Sequence, residues 1–91
     1  MNPQWTIWKY ELSITDRQTV MIPAWGRILS VQMQKGVACL WVLVNPENEK
    51  VKRHFAIYGT GHPVKPPGQN RQFVGTIQLN GGDLVFHVFE E

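Results

Sequence analysis

Along most of the chain hydrophobic residues recur at every second position, the spacing that puts apolar side chains on one face of an extended strand. Residues 5–12 are rich in aromatic and β-branched types, with Trp8, Tyr10 and Leu12 on one face. Asp16-Arg17 has the composition of a turn, and residues 19–22 form a short strand stopped by Pro23, with a corner at Ala24-Trp25-Gly26. Leu29, Val31 and Met33 then alternate with Ser30, Gln32 and Gln34, which predicts a half-buried strand. Lys35-Gly36 signals a tight turn into Val37–Val44, a run apolar on both faces. Such a run belongs in a central strand or at a subunit contact.

The second half continues the pattern. After a loop at residues 45–49, residues 51–58 alternate again, with Val51, Arg53, Phe55 and Ile57 opposing Lys52, His54, Ala56 and Tyr58. Residues 59–71 contain three glycines and three prolines and cannot form regular structure. Residues 73–79 and 84–89 read as a hairpin closed by Asn80-Gly81-Gly82-Asp83, where Asn-Gly supplies the positive φ angles of a type I′ turn. Residues 14–20 are too short and too β-branched for a helix. Seven short strands predict a single all-β domain over residues 1–91, a small antiparallel sandwich or barrel.

Composition adds to this in three places. Ninety-one residues with 43% hydrophobic content and four tryptophans can build one core. The single cysteine, Cys39, lies inside the apolar run and is expected to be a small buried hydrophobe. One cysteine makes no internal disulfide, and the first residues carry no leader pattern. The longest apolar stretch is the eight residues Val37–Val44, against the ~20 a spanning helix needs. An intracellular protein without a membrane segment is expected.

Net charge is only +2, but its distribution is uneven. Lys50, Lys52, Arg53, Lys65 and Arg71, with His54 and His62, occupy a stretch free of acidic residues. That local excess favours an anionic ligand.

Catalytic signatures are missing: there is no Gly-x-Ser-x-Gly, His-Glu-x-x-His or Cys-x-x-Cys, and Gly59-Thr60-Gly61 lacks the rest of a dinucleotide fingerprint. No enzyme activity and no cofactor are expected. The spacing of His54, His62 and His87 matches no standard zinc pattern. Trp5, Trp8, Phe55 and Tyr58 beside basic residues are material for a nucleic-acid stacking surface, but the small net charge and the demands of the core argue against it.

The irregular stretch carries the most chemistry. Tyr58 can stack on a base, and Thr60, Gly61 and His62 offer backbone and side-chain donors to a phosphate. Arg53 and Arg71 are candidate counter-charges. These six residues form the expected binding site for a phosphate-bearing, nucleotide-like small molecule.

Four segments together resemble a family of small proteins encoded by tailed bacteriophages and prophages. They are Trp5-Thr6-Ile7-Trp8-Lys9-Tyr10, Ile28-Leu29-Ser30-Val31-Gln32 with Cys39-Leu40-Trp41, Tyr58-Gly59-Thr60-Gly61-His62-Pro63, and Leu84-Val85-Phe86-His87-Val88-Phe89-Glu90. The resemblance carries no residue roles. It implies a phage protein made in the host bacterial cytoplasm. In that setting the expectation is a homo-oligomer that counteracts host defence by holding a cyclic nucleotide or an ADP-ribose-type signal. The rival expectations are a module that docks on a host protein through residues 64–71, and a structural accessory of the phage particle.

Overall fold

The computed structural model describes residues 4–64 and 71–91. All seven expected strands are present: β1 (Thr6–Leu12), β2 (Arg17–Pro23), β3 (Arg27–Gln34), β4 (Val37–Val44), β5 (Lys50–Gly59), β6 (Gln72–Leu79) and β7 (Leu84–Glu90). They form two antiparallel sheets, one of three strands in the order β1-β4-β3 and one of four in the order β2-β5-β7-β6. The architecture is an all-β sandwich.

Period-two alternation sorts each strand between core and surface. In the three-stranded sheet Leu12, Val31, Ala38, Leu40, Val42 and Val44 face the core. In the four-stranded sheet Ile22, Phe55, Ile57, Ile77 and Val88 meet them. The doubly apolar β4 is the centre of its sheet, with β1 and β3 on its flanks. Its other face carries Cys39, Trp41 and Leu43, of which Cys39 is buried and the other two are half-buried.

Turn chemistry fixes the register. Lys35 and Gly36 both have positive φ (50° and 80°) between the paired residues Gln34 and Val37, as a two-residue type I′ hairpin requires. The β6–β7 turn lies one residue later than Asn80-Gly81 predicts. Asp83 N–H donates to the Asn80 carbonyl at 3.2 Å, so the central pair is Gly81-Gly82, at φ 65° and 99°. Asn80 itself also adopts positive φ (51°), giving a longer, tighter coil than a minimal hairpin.

Two further boundaries shift. Arg17, expected in a turn, is the first residue of β2 and pairs with Ala56. Pro23, expected beyond the strand, is its last residue, opposite Lys50. β2 is an edge strand, where a missing N–H is tolerated.

The corner after β2 is built on Gly26, whose N–H donates to the Pro23 carbonyl at 3.0 Å. A Cβ at Gly26 would lie 2.8 Å from a methyl of Ile22, 3.0 Å from the Pro23 carbonyl and 3.3 Å from Val42. The neighbours are a fixed backbone atom and stiff β-branched side chains. Gly26→Ala is therefore expected to lower stability by about 1–3 kcal/mol. Urea denaturation checks this; a midpoint unchanged from wild type would show that the corner relaxes freely.

Candidate ligand-binding site

β5 leaves the sheet at Gly59 and turns sharply. His62 N–H donates to the Gly59 carbonyl at 3.0 Å, and Gly61 between them takes φ 85°. The His62 ring folds back over Gly59, so that a Cβ there would sit 2.8 Å from Nδ1. Thr60 N–H donates to the Val85 carbonyl at 3.2 Å. The first bond closes the turn on itself and the second ties it to β7, so both amide groups are engaged within the protein. The glycine therefore shapes the turn, and the expected cradle of free N–H groups is not formed by Thr60 and His62.

Thr60 acts through its hydroxyl in the same way. Its Oγ1 is 2.7 Å from His87 Nε2, while Thr76 Oγ1 is 2.9 Å from Nδ1 of the same ring. His87 is thus held from both nitrogens and pins the turn to the sheet. His54 is elsewhere on that face, with Nδ1 3.0 Å from Thr19 Oγ1. Among the described residues no group of three or more His, Cys, Asp or Glu side chains could hold a metal ion. No helix among them is long and apolar enough to cross a membrane.

Tyr58 and His62 do come together. They line a groove of about 830 Å³ between the β5–β6 turn and the β1–β2 segment, which contributes Ile14, Thr15, Asp16 and Arg17. Ile57, Phe86, Pro63 and Val64 add apolar wall. The volume falls within the range of small-molecule sites. Arg17 supplies its cation. The guanidinium meets Glu91 through Nε at 3.1 Å and Nη2 at 3.2 Å. The Tyr58 hydroxyl and the attraction of Glu91 outweigh desolvation and hold the guanidinium above its usual pKa. It stays charged at any ordinary pH.

The expected six-residue site does not assemble as a unit. Arg53 and Tyr58 are an odd number of positions apart on an unbroken strand, so their side chains leave opposite faces of the sheet. Arg53 points to the core side, where its Nε and Nη2 grip the Glu90 carboxylate and Nη1 donates to the Gly26 carbonyl at 2.8 Å. It is a structural ion pair at the opposite end of the strand, about 17 Å along the chain from Tyr58. Arg71 stands half-buried just before β6, whose first residue pairs with Glu90 at that same far end. Neither arginine lines the groove of Tyr58 and His62. Lys65, and the rest of the proposed docking stretch from 65 to 70, lie outside the described residues.

The core takes two of the rings that a nucleic-acid stacking surface would need, as its demands implied: Phe55 is fully buried and Trp8 packs against the core. Sequence reasoning missed Arg17 and Asp16, which looked like turn residues, and the role of His87. Only the pairing of Arg17 with Ala56 brings that cation beside Tyr58.

No curated protein and no solved structure matches the chain. A family model described as a domain of unknown function does match, across residues 3–91. The alignment takes in β1 to β7 and every residue of the groove. The chain belongs to this family, DUF7352.

Proposed function

We propose that the protein is a non-catalytic binding protein for a phosphate-bearing, nucleotide-like small molecule. The carrying observation is the groove that gathers the Arg17 cation, the His62 imidazole and the Tyr58 ring in a space of ligand size. Arg17 would meet the anion, His62 donate to it, and Tyr58 pack on the base. Asp16 in the same wall repels a bare phosphate but accepts hydrogen bonds from ribose hydroxyls or an exocyclic amine. A nucleotide offers both groups.

The resemblance to phage and prophage proteins supplies the setting: the ligand is a nucleotide-type immune signal of the host, held out of circulation rather than transformed. A second copy would pack on the outer face of the three-stranded sheet, where Ile7 pairs with Leu43 and stands 55% exposed beside half-buried Trp41.

A thermal-shift panel of mononucleotides, cyclic dinucleotides and ADP-ribose isomers tests the reading. A ligand at 100 times its dissociation constant adds about 2.7 kcal/mol, which for this size raises the midpoint by roughly 10–20 °C. Arg17→Ala combined with His62→Ala is expected to abolish the shift. A flat wild-type response across the panel would overturn the proposal.

One observation favours a second reading, a protein-interaction module. Trp25 is 85% exposed and holds φ 69° at a turn position that glycine normally fills. An exposed tryptophan on a strained corner is a typical anchor for a protein partner.

A further inference from the structure

Tyr58 is the first of three connected rings on the outer face of the four-stranded sheet. Its centroid is 5.9 Å from that of Phe89, which is 5.4 Å from Phe73. The register explains the row: Ala56, itself fully covered, pairs with Phe89 and Phe89 with Phe73 on the outer face of the sheet. Each neighbouring pair meets edge to face, at 72° and 62°, so neither contact stacks one ring face on another. Phe73 ends the row on the edge strand β6, 57% exposed. It also lines a second groove, of about 740 Å³, which includes Trp25 and Arg27. The ridge therefore joins two concavities.

The charge on this face is one-sided. Its strand positions carry Arg17, Lys50, Lys52, His54 and His87 and no carboxylate, by the pairing of β2, β5, β7 and β6. Glu91, just beyond β7, is bound to Arg17. A mononucleotide would fill the groove at Tyr58 and leave Phe89, Phe73 and the lysines unused. Rings in series beside cations are the elements of a surface for successive bases of a single strand.

Building on the groove reading, we propose that the ligand is a short oligonucleotide of two or three nucleotides. Its terminal phosphate sits at Arg17 and His62, and its further bases lie on the ridge from Tyr58 to Phe73. Of the four rings that sequence pattern nominates for such a surface, Phe55 and Trp8 are in or against the core. Only Tyr58 belongs to the ridge, which adds Phe89 and Phe73.

Calorimetric titration with the four 5′-phosphorylated homodinucleotides, their mononucleotides and cyclic dinucleotides tests this. At least one linear dinucleotide is expected to bind about 10-fold or more tightly than its mononucleotide, the effect of one added base–ring stack. A cyclic dinucleotide that binds more tightly than every linear one would overturn the terminal-phosphate placement. Phe89→Ala should remove the dinucleotide advantage while mononucleotide affinity stays within twofold; Phe89→Leu, which keeps an apolar side chain on β7, should do the same. Equal affinity for mono- and dinucleotides, still lost on Arg17→Ala, would overturn the oligonucleotide and leave the groove reading standing. Absence of binding by every probe would overturn both. A 15-nucleotide strand that outcompetes all dinucleotides, with an affinity unaffected by Arg17→Ala, would overturn the terminal-phosphate placement.

Discussion

Phe55→Ala is expected to lower the stability of the folded chain by about 3–5 kcal/mol, the range for truncating a buried phenylalanine. Phe55 is fully buried on the inner face of β5, flanked in register by Gln18 on β2 and Glu90 on β7. Stiff β-branched side chains make up much of the surrounding core, among them Ile22, Val42, Val44 and Val88. They cannot swing inward to fill the vacated space. A chain of this length has a total stability of roughly 5–14 kcal/mol, so the variant would lose about a fifth of it or more. Urea denaturation at unchanged m-value reads the loss directly. Phe55→Leu, which keeps most of the volume, should cost under about 1.5 kcal/mol. If the alanine variant cost no more than the leucine one, β5 would not be the centre of the core.

Arg53→Ala is expected to cost about 3 kcal/mol and to leave nucleotide affinity at the groove unchanged. The side chains of Arg53 and Glu90 are only 20% and 17% exposed. Removing the guanidinium strands a largely covered carboxylate and takes a donor from the Gly26 carbonyl. Breaking a well-covered pair from one side typically costs 3–5 kcal/mol, and the residual exposure places this one at the lower end. Arg53→Met with Glu90→Leu should recover most of the loss, because the uncompensated charge disappears with its partner. Two hydrogen bonds to Glu90, reinforced by its charge, outweigh desolvation and raise the Arg53 guanidinium above its usual pKa. A raised cation contributes its stability at every pH below the unfolded value and loses it only above the folded one. The arginine side of this pair therefore adds no pH dependence across the ordinary range. A fall in ligand affinity that exceeds the fall in folded fraction would return Arg53 to the binding site.

The Arg53 result bears on what sequence reasoning can reach. The alternation of residues 51–58 already puts Arg53 with Phe55 and Ile57, and Tyr58 with His54 and Lys52, on opposite faces. Charge density along the chain joins Arg53 to Tyr58, and the period of two separates them. Arg17 was beyond reach for a different reason. It lies 41 residues before Tyr58 in the sequence, and nothing local distinguishes it from a turn arginine. It becomes part of the groove only because β2 pairs with β5 in a register that sets it beside Ala56. His87 offers a parallel case: its bonds to Thr60 and Thr76 come from two separate elements that meet only across β7.

Local pattern by itself determined the seven strands, the two-residue turn at Lys35-Gly36 and the burial of Cys39, and it narrowed Val37–Val44 to a central strand or a subunit contact. Each of these depends on forces acting over a few residues: alternation against a core, positive φ at a tight turn, and an apolar run too short to cross a membrane. Tertiary structure alone decided which strands are neighbours, the place of Val37–Val44 at the centre of its sheet, the pairing of Arg53 with Glu90, and the assembly of the groove and the aromatic ridge. Those features depend on pairing register between segments distant in sequence. A slip of one residue exchanges the two faces of a strand, so no local pattern specifies which side chains share a surface.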